Sequence, residues 1–315
     1  MKRTFLFMVS YWVALNCQAQ CNCGGSSSSI AFSDAGNASI TMKKNQWMVE
    51  LSGEYRKFNQ KHSAHDHDGH DHVHSVSTSS ESSLKNTLIG LIGLRYGVTD
   101  RITLSLQQPY LSIYASPKGT DGIGDLLFVA NVKLIAKSKF SAGIMLGAEL
   151  PTGIASGLAG ENNSVIGSGS FDPVAGISVL KTQQKSFIRL NVFYKQGTIG
   201  YNKTNFGSFL NGNLTFSYKI KSSNSFCSTD SIKSNKLELS LFSSISNEWY
   251  TPQISDHVIN QNSGGHLFLA GGGAQFGYKT WSIPISFQIP IFQNLKGEQS
   301  QTEFRVKIGI IKSFN

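Results

Sequence analysis

From Trp47 onward, apolar residues recur at every second position, which is the period of a β-strand with one greasy and one polar face. The clearest run is 281–291, where Trp281, Ile283, Ile285, Phe287, Ile289 and Ile291 alternate with Ser282, Pro284, Ser286, Gln288 and Pro290. One face suits lipid and the other water, although two prolines are awkward in the middle of a sheet because each lacks a ladder donor. The same alternation runs through twelve segments: 47–58, 86–98, 102–114, 124–135, 140–152, 171–180, 187–195, 208–220, 237–247, 265–278, 281–292 and 303–314. Most are 10–13 residues, about what a tilted strand needs to cross a bilayer. Connections alternate too. Those at 99–101, 136–139, 181–186 and 279–280 are short, with 221–236 a longer exception, and the intervening ones are long, led by 59–85. The pattern predicts an all-β fold: a transmembrane antiparallel up-and-down β-barrel of about twelve strands, long loops outside and both termini in the periplasm.

Facing follows from the alternation. Trp47, Val49, Leu51 and Tyr55, then Phe128, Val132 and Leu134, then Leu214, Phe216 and Tyr218 are expected to face lipid. Glu50, Glu54, Arg56, Arg95, Asp125 and Lys133 are expected inside, with Glu149, Arg189, Lys195, Glu238, Arg305 and Lys307. Both signs occur, which predicts a polar lumen of mixed charge. Tyr and Trp near the strand ends, such as Tyr110, Tyr278 and Trp281, predict interfacial girdles.

Composition agrees. Only 15% of residues are charged and 31 are Gly, a poor match for a helical bundle with Glu- and Lys-rich faces. The chain has no run of 18 apolar residues, which argues against a helical membrane protein. Lys2 and Arg3, the apolar stretch Phe5 to Leu15, and Cys17-Gln18-Ala19 read as a signal peptide, residues 1–19, cut before Gln20. A lipid anchor on Cys17 or Cys21 is the weaker alternative. Loss of Lys2 and Arg3 lowers the net charge from +9 to +7. The sequence has no cationic block, so nucleic acid is not an expected partner. Sec export to the bacterial outer membrane makes its lipid and the barrel-assembly machinery the expected partners. The domain plan is residues 1–19, a flexible periplasmic segment 20–45, and a barrel over 46–315.

Three stretches carry a family resemblance: Gly122-Ile123-Gly124-Asp125-Leu126, Glu149-Leu150-Pro151-Thr152-Gly153 and Gly169-Ser170-Phe171-Asp172-Pro173. In order and spacing they resemble the outer-membrane barrel family associated with the meta-pathway of phenol degradation, also called transporter-like outer-membrane proteins. The resemblance covers about fifty residues strictly and 86–315 loosely. It implies a barrel that passes small molecules, and no catalytic residues.

Two features depart from that pattern. Six of the eight histidines (His62, His65, His67, His70, His72 and His74) fall in thirteen positions with Asp66, Asp68 and Asp71. Imidazole is a good ligand for Zn, Cu and Ni, and nearby carboxylates orient it or add oxygen ligands. A loop must be ordered to wrap an ion, so the expected binding is modest and unselective. Cys21 and Cys23, two positions apart, suit a soft ion such as Cu(I), while a bridge between them would be strained. The competing readings are a solvated low-complexity loop and exposed thiols, one of which could pair with Cys227. No cofactor is required. Catalysis by a Ser-His-Asn set on the barrel wall is not expected, because His257 and His266 lack a matching serine motif. Two functions stay open: a channel for a small solute linked to metal handling, or a non-conducting barrel that displays a metal-binding loop.

Overall fold

The structure is a computed structural model. It describes residues 39–59, 83–116, 119–153, 166–221 and 237–314. Twelve long strands form its wall: β1 (Trp47–Asn59), β2 (Ser83–Thr99), β3 (Ile102–Ser116), β5 (Leu126–Lys137), β6 (Phe140–Leu150), β7 (Asp172–Thr182), β8 (Ser186–Lys195), β10 (Phe209–Lys221), β11 (Glu238–Tyr250), β14 (Gly265–Tyr278), β15 (Trp281–Leu295) and β16 (Gln301–Phe314). Each pairs antiparallel with its sequence neighbour, and β1 pairs with β16, so the sheet closes on itself. Closure gives the interior backbone groups partners and leaves no free edge, which lets a sheet stand in lipid. All twelve alternating segments are strands, and β14 has the bounds read from the sequence.

Four short strands lie in stretches where the alternation predicts connections: β4 (Thr120–Ile123), β9 (Thr204–Asn205), β12 (Ile254–Ser255) and β13 (Val258–Ile259). β4 runs along β3 ahead of β5, separated from it by Gly124 and Asp125. β9, β12 and β13 form a small second sheet joining the β8–β10 and β11–β14 connections at the long-loop end.

The period of two sorts the side chains. Trp47, Leu51, Leu134, Leu214, Phe216 and Tyr218 are exposed on the outside, and Val49, Tyr55, Phe128 and Val132 are half-buried. Glu50, Glu54, Arg56, Asp125, Glu149, Arg189, Lys195, Arg305 and Lys307 are buried inside, while Arg95, Lys133 and Glu238 are half-buried. This inverts a soluble protein, in which large apolar side chains are buried and charges are wet. An apolar outer band around a polar interior is the arrangement a bilayer requires. The two prolines of β15 stand at interruptions of its ladder with β16. That ladder registers Trp281–Ser282 and Ile285–Gln288, skips Pro284 and stops before Pro290. Opposite β14, the register slips between Phe268 and Leu269, beside Pro290.

Candidate functional site

The lumen at the long-loop end is built from two charged arcs and an apolar wall. On the first arc, the chain breaks between β4 and β5 so that Asp125 turns inward. Gly124 N–H donates to the Pro109 carbonyl (2.9 Å), and the Gln108 amide donates to the Gly124 carbonyl (2.7 Å). The buried Asp125 carboxylate accepts from the Gly153 N–H (2.9 Å) and from the N–H and hydroxyl of Ser168 (both 2.6 Å). The Thr152 hydroxyl accepts the Leu126 N–H at 2.9 Å. Gly153 is glycine for a packing reason: a Cβ there would stand 2.8 Å from Asp125 Oδ1 and 2.7 Å from the Gly124 carbonyl carbon. Asp172 accepts from the Ser170 hydroxyl (2.9 Å) and the Thr198 N–H (2.8 Å). Lys195 reaches Glu149 at 2.5 Å and Asp172 at 3.9 Å. The three motif stretches are therefore one network: Glu149 and Asp172 share the Lys195 ammonium, and Asp125 is linked to Asp172 through the Ser168 and Ser170 hydroxyls. Charge-assisted bonds of this kind are the strong ones.

On the second arc, Arg305 of β16 holds Glu248 of β11 with two parallel bonds, at 2.7 and 2.9 Å, across the width of β14 and β15. The Tyr250 hydroxyl donates to the same carboxylate at 2.8 Å. Arg56 binds Glu54, and Lys307, directly opposite Glu54 in the ladder, lies 3.9 Å from it.

The lumen is not polar throughout. Leu127 and Val129 of β5, Met145 of β6, Val174 of β7, Phe193 of β8 and Phe209 of β10 form a buried apolar cluster, and Tyr250 stacks on Phe209 at 4.7 Å. Sequence alternation alone missed this wall. Its signal is local loss of alternation, as in Leu126-Leu127-Phe128-Val129-Ala130, where both faces are apolar. The alternation also leaves out Glu248, because it ends at 247 while β11 runs on to Tyr250.

At the short-turn mouth, the residues before β1 fold onto the lumen side. The Thr41 hydroxyl donates to the Asp100 carbonyl (2.9 Å), the Met42 N–H donates to the Thr103 hydroxyl (2.8 Å), and Arg189 of β8 donates to the Ser39 carbonyl (2.7 Å). Gly97 permits the passage, since a Cβ there would collide with the Lys43 carbonyl.

The metal candidates His62, His65, His67, His70, His72, His74, Asp66, Asp68 and Asp71, with Cys21, Cys23 and Cys227, lie outside the described residues, as does the signal peptide. Among the described residues no group of three or more His, Cys, Asp or Glu is placed to hold a metal ion.

No family model matches this sequence, and no curated protein matches it. The fold does have solved counterparts. The chain is similar to an outer-membrane channel from Pseudomonas putida F1, with a TM-score of 0.65 and 14% identity over 89% of this chain and 98% of that one. More distant are the translocator domain of the autotransporter NalP from Neisseria meningitidis (TM-score 0.47, 10% identity, 96% and 100% covered) and the NanC porin (0.45, 9%, 84% and 98%). At these identities the likeness concerns the fold: a closed outer-membrane β-barrel.

Proposed function

We propose that this protein is a bacterial outer-membrane channel for a small solute. The lumen carries the proposal: a closed wall encloses a polar interior with paired charges on two arcs, and an apolar cluster packs beside the first of them. The outward apolar band and the fold shared with the Pseudomonas channel support the membrane setting. Export through a signal peptide and insertion by the barrel-assembly machinery belong to the same proposal, and its chemistry is passage, not catalysis.

The His-rich stretch ties this passage to transition metals. Residues 62–74 belong to the β1–β2 connection at the long-loop end, and they would gather Zn, Cu or Ni there, with Cys21 and Cys23 as a second, softer donor pair. A non-conducting scaffold that displays this loop is the alternative. Residues 39–46, held at the short-turn mouth by Thr103, Asp100 and Arg189, favour it. Planar-bilayer recording of the refolded mature protein separates the two. Discrete conductance steps that change when 62–74 is deleted support a metal-linked channel. A silent bilayer with intact loop binding by titration calorimetry overturns the channel in favour of the scaffold.

A further inference from the structure

The two ends of the barrel differ in the balance of their surface charges. At the long-loop end the exposed Lys57 and Lys203 each have an acid, Glu303 at 3.8 Å and Asp256 at 3.7 Å, and the exposed Lys85 and Lys296, which have no ion pair among the described residues, share that end with the exposed Asp121 and Glu298. At the short-turn end, Arg101, Lys137, Lys139, Lys181, Lys185 and Lys279 are all exposed, spread over the β2–β3, β5–β6, β7–β8 and β14–β15 turns. Among the described residues none of the six has an ion-pair partner. The exposed acid at that end, Asp100, already accepts the Lys44 backbone N–H at 2.9 Å. The sequence at 20–38 and 222–236 adds Asp34, Asp230, Lys233 and Lys236, which cancel. The result is a collar of positive charge around one rim.

Aromatic rings on the outer wall stand beside Lys181 and Lys279 of this collar and beside the half-buried Lys312 at the same end. Phe140 and Lys181 are directly opposite in the β6–β7 ladder, and Trp281 and Lys312 are opposite in the β15–β16 ladder. Lys312 Nζ lies 4.6 Å from the Trp281 ring and 5.0 Å from the Phe314 ring, and Lys279 Nζ lies 5.4 Å from the Tyr278 ring. Exposed Trp, Tyr and Phe at a strand end mark the depth where acyl chains give way to headgroups. A long lysine stem lies along the apolar wall and lifts its ammonium to the phosphate level. A soluble acidic partner would dock on the turn tips and gain nothing from rings on the lipid-facing wall.

We propose that the short-turn rim is a binding collar for anionic phospholipid headgroups, which seats the barrel in its inner leaflet at a fixed depth. The inference rests on the membrane reading of the barrel and not on transport. Clustered lysines at a membrane surface each add a modest attraction to anionic lipid that fades with salt.

The test uses the mature full chain carrying Trp249→Phe, so that Trp47 and Trp281, both at the short-turn end, report. It is refolded into phosphatidylcholine vesicles containing either dibrominated phosphatidylglycerol or dibrominated phosphatidylcholine. Folding is followed separately by heat-modifiable gel mobility. The proposal expects the brominated phosphatidylglycerol to quench more, with a relative binding constant about fivefold higher, the effect of roughly one added lysine–headgroup contact. The preference should vanish in about 0.5 M NaCl, a test on the unaltered collar. It should also vanish with Lys139→Gln, Lys181→Gln and Lys279→Gln combined, and persist with Lys203→Gln. Equal quenching by the two lipids in a folded barrel would overturn the collar, as would a lipid-blind barrel that is retained on immobilised polyglutamate. Failure of the chain to insert at all would overturn the membrane reading itself, and is told apart by the gel assay.

Discussion

Arg56 of β1 and Arg305 of β16 stand directly opposite each other in the β1–β16 ladder, both buried in the lumen, and each is held by a different glutamate. Like charges placed opposite on neighbouring strands repel. Glu54 answers Arg56 from two residues earlier on the same strand, while Glu248 answers Arg305 from β11, across the width of two intervening strands. The second pair is therefore both a neutralising contact and a tie across an arc of the barrel.

Breaking that tie on one side should be expensive. Glu248→Gln leaves Arg305 facing Arg56 with its bidentate partner gone, and removal of one member of a buried pair costs about 3–5 kcal/mol. Replacing both, as Glu248→Leu with Arg305→Met, should cost much less, because no buried charge is orphaned. Urea titration of the heat-modifiable gel shift measures both variants. A double variant as unstable as the single one would show that the tie itself, and not the orphaned charge, carries the energy.

Asp125 gathers three donors at the long-loop end, two from Ser168 and one from Gly153. Asp125→Ala removes their shared acceptor, and hydrogen bonds to charged groups contribute about 1.5–3 kcal/mol each. The wall does not depend on these bonds, so circular dichroism should keep its β signal. The β6–β7 connection should be cut faster by an added protease in limited proteolysis. An unchanged cleavage rate would mean that Glu149, Lys195 and Asp172 hold that end without Asp125.

Residues 39–46 run across the short-turn mouth on the lumen side, tied at Asp100, Thr103 and Arg189. Deleting 20–43 should raise single-channel conductance in a planar bilayer. Arg189→Ala, which loses the bond to the Ser39 carbonyl, should raise it partway. Equal conductance in all three proteins would place the narrowest point at the charged arcs instead.

The wall was legible because its information is local. Alternation in Trp281–Ile291 fixes which side chains meet lipid, and short Lys-containing turns such as 136–139 fix which strands are neighbours. What escaped depends on the third dimension. Glu248 lies past the last alternating residue of its segment, and only closure of the barrel brings Arg305 to it. β9 and β12 are two residues each, and their pairing joins Asn205 to Ile254, far apart along the chain. Phe193 and Phe209 share the inward phase of Arg189, Lys195 and Asn211, but only the fold shows that they meet Met145 there in a packed apolar cluster. The Gly-Asp, Pro-Thr-Gly and Ser-x-Asp stretches stood out in the sequence. Their shared purpose, one hydrogen-bonded network around Asp125 and Asp172, appears only in the fold.

The metal proposal makes a signed prediction about pH. A neutral imidazole lends a lone pair to a metal ion, and protonation removes it, so Zn binding by the 62–74 stretch should weaken as pH falls below about 6. Titration calorimetry of the mature protein with Zn should therefore give strong heat near neutrality and little under mild acid. Changing His62, His65, His67, His70, His72 and His74 to Ser should abolish the heat at both values and leave the gel shift of the folded barrel intact. Cys21→Ser with Cys23→Ser should leave the Zn heat unchanged and lower only the response to Cu(I), since thiolate is the softer ligand. Zn heat that survives the six substitutions would assign binding to carboxylates or thiols and end the role proposed for the histidines.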